Sequence, residues 1–213
     1  MPDPEPRNQE HSAPGSADDG LCLAFVNTMA WRRSQAPEER LPSPEALLRW
    51  CVDAKILTVA GAANLERRWQ DRPDEALGLH AAALALRETI YGLLRSRIAG
   101  QAVGKDDLDR FNSLFETMPP RLGLARDGRV LGWRHGPRRG GVAGLLAPIA
   151  WSAADLVTCT RAGRVRQCDD PDGCGWLFLD ESRAGTRRWC SMGDCGNRAK
   201  ARRHQSRRKL DRH

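Results

Sequence analysis

Four cysteines near the C-terminal end have the spacing of a metal site. They are Cys168, Cys174, Cys190 and Cys195, so five residues separate the first two, fifteen the middle two and four the last two. Two closely spaced thiolate pairs can supply the four ligands of tetrahedral Zn²⁺. Such a closed site leaves no ligand position for water, so we predict one structural zinc ion without a hydrolytic role. An iron–sulfur cluster uses the same ligands and stays an alternative.

The residues around these cysteines predict a small treble-clef-like module. Turn-forming residues 169–173 let the first two cysteines face one point, and Trp176–Leu179 is typical of an apolar strand. Val165–Gln167 would be the first strand of the module, and residues 197–210 predict a helix whose first turn carries Cys195. We expect the order metal knuckle, β-hairpin, helix. A module of about 45 residues cannot bury much core, so the metal should supply much of its folding free energy.

Two details of this module can be predicted from local chemistry. The free N–H groups of Gly196 and Asn197, at the positive end of the helix, should point at the Cys195 sulfur. The aromatic residues Trp176, Phe178 and Trp189 should form the core of the module. These aromatic side chains would then be unable to stack on the bases of a single strand.

The predicted C-terminal helix lies in the segment that holds all of the excess charge. The net charge is +7, and residues 161–213 contain 14 Lys and Arg against 7 Asp and Glu. A helix this basic repels itself unless anions approach it, so we predict a nucleic acid partner. A solvated basic tail, or contact with a protein or membrane surface, is the alternative.

The sequence divides the predicted contacts with nucleic acid into two groups. Three- and four-residue spacing places Arg198, Arg202, Gln205 and Lys209 on one helix face, which could enter a major groove of duplex DNA. The other basic residues would hold phosphates: Arg187, Arg188, Lys200, Arg203, Arg207 and Arg208. An RNA- or ribosome-associated zinc protein and a zinc–thiolate redox switch stay open as alternatives.

The last ligand lies in a recognisable motif, because residues 195–198 read CGNR. RRWCSM precedes this motif at 187–192, and AKAR follows it at 199–202. The stretch resembles the CGNR zinc finger. In that family the finger follows a mostly helical ABATE domain, in bacterial proteins described as candidate stress-induced transcription regulators. Residues 21–28, LCLAFVNT, resemble the start of that domain, so the resemblance implies a DNA-binding regulator with an N-terminal domain that senses a ligand or dimerises.

The remainder of the chain predicts a mainly α-helical fold with one small β-hairpin. Residues 1–19 are polar and rich in proline, so we expect a disordered tail, followed by a helical domain over 20–162 and the finger over 163–213. Apolar periodicity and capping residues predict six helices: from about 20 to Trp31, from Pro44 after Ser43, from Thr58 to Gln70, from Pro73 to Ala99, from Asp106, and from Gly144 to Val157. Leu108, Phe111 and Met118 should face inward in the fifth, and a hairpin should turn at Asp127-Gly128. Arg138–Gly141 is expected to be a mobile basic loop.

Asn27 and Thr28 interrupt the apolar run of the first predicted helix. They could tie a neighbouring backbone group, or they could contact a small ligand inside the helical domain. The resemblance makes a small-molecule effector and a homodimer the partners to consider for that domain.

Composition narrows the class of protein further. Seven cysteines, four of them in a metal-like cluster, favour a reducing compartment, so we expect a cytoplasmic protein in which Cys22, Cys51 and Cys159 are core residues. The longest apolar run near the N-terminus is about ten residues, short of the roughly 20 that span a membrane. No histidine lies in a catalytic motif, so we do not expect an enzyme.

Overall fold

The computed structural model describes residues 19–127, 130–135, 142–170 and 173–210. Within these ranges the fold is mainly helical, as predicted. The helices are α1 Asp19–Val26, α2 Pro44–Asp53, α3 Val59–Asp71, α4 Pro73–Ile98, α5 Lys105–Phe115, α6 Val142–Thr158 and α7 Asn197–Leu210. The strands are β1 Met29–Ala30, β2 Glu38–Glu39, β3 Arg121–Asp127, β4 Val130–His135, β5 Val165–Gln167 and β6 Leu177–Leu179. They form three separate antiparallel pairs: β1 with β2, β3 with β4, and β5 with β6. The predicted N-terminal tail up to residue 18 and the predicted loop Arg138–Gly141 lie outside the described ranges.

The long helix α4 is the centre of the helical domain. It packs against α1, α2, α3, α5 and α6. Ile90 and Leu94 of α4 are fully buried, as are Phe25 of α1 and Leu146 and Ile149 of α6. Burying an apolar side chain of this size contributes roughly 1.5–3 kcal/mol, so this apolar contact area is the main source of the domain's stability.

Local sequence signals set the predicted helix starts. The Ser43 hydroxyl accepts the Ala46 N–H at 3.3 Å, with Pro44 in the first turn of α2. The Thr58 hydroxyl accepts the Gly61 N–H at 3.1 Å at the start of α3. Gly100 follows α4 with a φ of 66°, a conformation that glycine adopts without strain. The cap predicted at Ser43 is confirmed, and Thr58, predicted as the start of its helix, is the residue that caps it.

Two predictions about the helical domain are wrong. The first helix ends at Val26 and not at Trp31, because the chain turns and Met29–Ala30 forms a strand with Glu38–Glu39. Trp31 itself has a φ of 54°, which ends any regular structure there. Leu108 was expected to face inward but is 45% exposed, whereas Phe111 and Met118 are buried as predicted.

The middle of the chain follows the predicted pattern. Strands β3 and β4 form the expected hairpin, in which Asp127 pairs with Val130. Helix α6 contains Pro148 near its start and buries Ala153 and Leu156. Across the described ranges, we find no helix that is both long enough and apolar enough to cross a bilayer.

The C-terminal module is packed onto the helical domain. A short 3-10 helix, Thr160–Arg164, leads into β5. Val165 and Leu177 are buried in the same apolar cluster as α1, α4 and α6. The Gln167 amide also donates to the Tyr91 hydroxyl of α4 at 3.0 Å. The apolar core therefore continues across the predicted boundary at residues 162/163.

Candidate metal centre and nucleic-acid interface

The fold brings all four predicted ligands to one buried point. The sulfurs of Cys168, Cys174, Cys190 and Cys195 lie within 4.8 Å of one another. The Cys174–Cys190 and Cys190–Cys195 sulfur distances are 3.7 and 3.6 Å. A tetrahedral ion with Zn–S bonds of about 2.3 Å needs sulfurs about 3.8 Å apart, whereas a disulfide needs about 2 Å. The cluster therefore fits one structural zinc ion.

The chemistry of the four thiols also requires a cation. The pKa of Cys195 is raised by interaction with the Cys168 sulfur first, and then with those of Cys174 and Cys190. The pKa of Cys190 is raised by the sulfurs of Cys168 and Cys174. Four crowded thiolates repel one another, so all four can be deprotonated together only when a bound cation offsets their charge.

The first ligand pair lies at the end of a short hairpin. Strands β5 and β6 pair on either side of residues 168–176, and the Cys168 N–H donates to the Trp176 carbonyl at 2.8 Å. The Gly173 N–H donates to the Asp170 carbonyl at 3.0 Å, which tightens the turn. Val165–Gln167 is the first strand, as predicted, but the predicted order of knuckle before hairpin is wrong, because the hairpin closes around the knuckle.

The second ligand pair lies just before α7, with Cys190 ahead of a turn and Cys195 within it. Met192–Gly196 forms one π-helical turn, started by the Ser191 hydroxyl, which accepts the Asp194 N–H at 3.3 Å. The expected N–H contacts to sulfur are wrong. The Gly196 N–H donates to the Ser191 carbonyl at 3.0 Å, and the Asn197 N–H donates to carbonyls within the same turn. The wide turn directs both donors back onto its own backbone.

Arg198 supplies the charged contact that these N–H groups do not. Its guanidinium donates to the Cys195 sulfur at 2.8 Å and to the Asp170 carboxylate at 2.8 and 3.2 Å. Burial opposes its charge, but the hydrogen bond to Asp170 and the nearby Cys195 sulfur together raise the pKa of Arg198. Four thiolates and one Zn²⁺ carry a formal charge of about −2, so a guanidinium beside a ligand stabilises the site.

Asp170 binds the face of α7 that is turned toward the metal centre, here called the inner face. Its side chain is 0% exposed and receives both Arg198, at 2.8 Å, and Arg202, at 2.6 Å. Both arginines therefore point at the knuckle. Their predicted contact with DNA stays a prediction. The sequence predicts only a turn at Asp170, without this ionic role. The sequence does contain a signal for this role of Asp170. Arg198 and Arg202 are four residues apart and so share a helix face, and the first knuckle is rich in acidic residues.

The two arginines before Cys190 differ in their surroundings. Arg187 donates to the carbonyls of Trp189, at 3.0 Å, and Cys190, and its guanidinium lies 4.9 Å from the centre of the Phe178 ring. It therefore holds the loop that carries the third ligand. Arg188 is exposed and pairs with the exposed Asp169. Exposed ion pairs are weak, so Arg188 can exchange this partner for another anion.

The outer face of α7 presents cations to solvent. Lys200 and Arg203 are exposed, and the described residues offer neither of them an ion-pair partner. The backbone of α7 continues through Gln205, Arg207, Arg208 and Lys209, whose side chains lie outside what the structure describes. Among the predicted DNA contacts with described side chains, Lys200 and Arg203 are therefore the two best placed to meet a partner.

Asn27 and Thr28 make contacts inside the protein. The Asn27 amide donates to the Leu177 carbonyl at 2.9 Å and accepts the Leu177 N–H at 2.9 Å. The Thr28 hydroxyl donates to the Phe25 carbonyl at 2.7 Å and accepts from Arg87 at 3.1 Å. These bonds match the expectation that polar side chains tie backbone groups. They give no support to a ligand contact, which stays a prediction.

The three remaining cysteines lie outside the metal centre. Cys22 and Cys51 are fully buried, as predicted for core residues, and burial raises the pKa of Cys51 to about 12. Cys159 is only half-buried, and its sulfur lies 3.3 Å from the Leu156 carbonyl oxygen.

Comparison with known families accounts for both parts of the chain. Residues 19–159, about two-thirds of the 213, match the ABATE family model, described as a "putative stress-induced transcription regulator". Residues 164–208 match the CGNR zinc finger. A search of curated proteins gave no match. The four clustered thiols fall within the second matched range, and the helical core falls within the first. The chain therefore belongs to the ABATE family and carries a CGNR zinc finger after the helical domain.

Proposed function

We propose that this chain is a DNA-binding transcription regulator that binds duplex DNA with the outer face of α7, the face that carries Lys200 and Arg203. The observation that carries the proposal is the division of that helix into two faces. At about 100° per residue, Lys200 and Arg203 lie about 200° and 140° around the helix from Arg198. The inner arginines are held by Asp170, so the outer cations are the ones that can reach phosphates.

The charges inside the finger support this division. The metal centre, at a formal charge of about −2, lies beside Asp169 and Asp170. Arg188, Arg198 and Arg202 pair with these groups. Because the internal charges nearly cancel, the positive charge of the outer face is not neutralised from within. Such a face attracts a polyanion and binds it with strong salt dependence.

Duplex DNA fits this surface better than single-stranded RNA. Phe178 is buried, and Trp176 and Trp189 are partly buried against the cysteine cluster. These aromatic rings pack within the finger, so they are poorly placed to stack on unpaired bases. The burial of all four cysteines gives no support to the redox-switch alternative.

The helical domain is proposed to regulate this binding, by sensing a small-molecule effector or by forming a homodimer. The support is the family description alone. The proposal assigns the chain a binding role in the cytoplasm and no catalytic one, since a four-thiolate site has no open ligand position.

A salt series with fluorescently labelled duplex DNA tests the proposal. The variant Lys200→Ala/Arg203→Ala should bind about tenfold or more weakly, and its salt slope should fall by about two, because each lost phosphate contact removes about 0.9. Arg49→Ala/Arg72→Ala is the matched control, since it removes two exposed arginines from α2 and the α3–α4 junction. Zinc content confirms that each variant keeps its finger.

Equal affinity of the wild type and the Lys200/Arg203 variant would refute the proposal. Competition between duplex DNA and structured RNA distinguishes the proposal from its main alternative, an RNA- or ribosome-associated zinc protein. A clear preference for RNA would replace the regulator with an RNA-associated protein.

A further inference from the structure

Residues 27–34, here named the bridging segment, run from the end of α1 along the side of the zinc finger. The Asn27 side-chain amide pairs with both backbone polar groups of Leu177, as a neighbouring strand would. The Arg33 N–H donates to the Gly173 carbonyl at 3.1 Å. Gly173 has a φ of 94°, and a Cβ there would overlap the Ser34 backbone. The segment therefore fits closely against the knuckle between the first two ligands.

The bridging segment also reaches the second ligand pair. The Arg198 guanidinium lies 4.9 Å from the centre of the Trp31 ring and also donates to the Cys195 sulfur at 2.8 Å. A shift of Trp31 would therefore displace the arginine that stabilises this ligand and starts α7. The segment thus contacts three parts of the finger: β6, the first knuckle and the first turn of the basic helix.

On the side away from the finger, the bridging segment is held by a network of polar side chains on α4. Arg87, whose side chain is 2% exposed, donates to both oxygens of Glu39 at 2.7 and 2.6 Å and to the Thr28 hydroxyl at 3.1 Å. Arg32 pairs with Glu88 of α4 at 2.6 Å. Arg87 also pairs with Glu88 at 3.0 Å, so the two glutamates and two arginines form one network. Bidentate geometry around a buried guanidinium fixes the position of its partners, and the network therefore holds the segment in place.

We propose that the bridging segment couples the Arg87–Glu39 network of the helical domain to the metal centre. A change that separates Arg87 from Glu39 loosens residues 27–34, and the loosened segment releases Leu177, Gly173 and Arg198. The finger then holds its zinc less firmly and α7 loses its fixed direction. Through this route, the state of the helical domain controls the surface that carries the outer cations.

Zinc transfer to a chromogenic chelator under native conditions tests the coupling. Asn27→Ala removes two hydrogen bonds at the contact and should speed release about tenfold. Glu39→Gln should speed release about threefold or more. The substitution leaves the backbone pairing of Glu39 with Met29 in place and changes only the side chain, whose printed bonds are to Arg87 and to the Leu41 N–H. Glu75→Gln is the matched control, since it weakens a different Arg–Glu pair, between Glu75 of α4 and Arg68 of α3. It should release zinc at the wild-type rate.

The coupling is refuted if Glu39→Gln releases zinc no faster than Glu75→Gln. Acceleration by Asn27→Ala alone also refutes it, because the finger would then depend on its local contact and not on the network. If Glu39→Gln does not fold, Thr28→Val removes the hydroxyl that joins Arg87 to the segment, and the same criterion applies. Hydrogen exchange of residues 192–204 should rise together with release. Neither readout uses nucleic acid, so this inference and the proposed function can fail separately.

Discussion

The helical domain and the zinc finger are each stabilised by a different kind of interaction. In the helical domain, apolar side chains such as Ile90, Leu94 and Leu146 make up the buried core. In the finger, the separate buried cluster consists of the four cysteines and Phe178, with three tryptophans packed around it. Apolar burial stabilises the first region. The second shares that core through Val165 and Leu177 and otherwise depends on a metal ion and ion pairs. The finger should therefore respond to chelators and charge removal, and the helical domain to loss of volume.

Removing zinc should have the largest effect and should separate the two regions. Structural zinc contributes roughly 10–16 kcal/mol of binding free energy in small finger peptides, so a strong chelator should unfold residues 168–204. Hydrogen exchange measured by mass spectrometry should show lost protection there, while α2, α4 and α6 stay protected. A finger that keeps its protection without metal would contradict the comparison.

Replacing the buried acid of the finger should have the next largest effect. Asp170→Asn leaves Arg198 and Arg202 without their carboxylate, and breaking a buried pair costs about 3–5 kcal/mol. Zinc affinity, measured by competition with a chelator, should fall accordingly. Asp169→Asn is the control, because Asp169 is exposed and its pair with Arg188 should contribute about 1 kcal/mol or less. Similar losses in both variants would show that burial of the acid does not matter.

A cavity in the helical core should produce the opposite pattern. Leu47 is fully buried, so Leu47→Ala should lower the free energy of unfolding of the helical domain by about 3 kcal/mol. Zinc affinity in native buffer should stay at its wild-type value. Leu77→Ala serves as the control, since Leu77 is 59% exposed and has little volume to lose from the core. A marked loss of zinc affinity in Leu47→Ala would mean that the two regions are not distinct.

The smallest effect should come from a single helix cap. Ser43→Ala removes the hydroxyl that accepts the Ala46 N–H, which should cost the helical domain about 1 kcal/mol. Urea denaturation followed by far-UV circular dichroism would detect the lowered midpoint. Ser43→Asp should restore most of the loss, because aspartate can also cap a helix. A midpoint that does not move in Ser43→Ala would show that this cap adds nothing to the apolar core.

Much of the molecule could be predicted from sequence because the relevant signals are local. Ser43 and Thr58 bond to residues three positions along, and β3 and β4 pair between residues as close in sequence as Asp127 and Val130. The two cysteine pairs also lie within short stretches. Each pair can be recognised before anything is known about the distant chain.

The tertiary structure decided what each polar side chain does. The sequence shows a basic helix but not which face is covered, and only the position of Asp170, 28 residues before Arg198, directs Arg198 and Arg202 inward. Asn27 meets Leu177 across 150 residues, and Arg87 meets Glu39 across 48. A charged or amide group bonds to whichever partner the folded core brings near it. The sequence by itself therefore determined the metal ligands and the helices, whereas the packing of distant segments determined which cations of α7 face solvent.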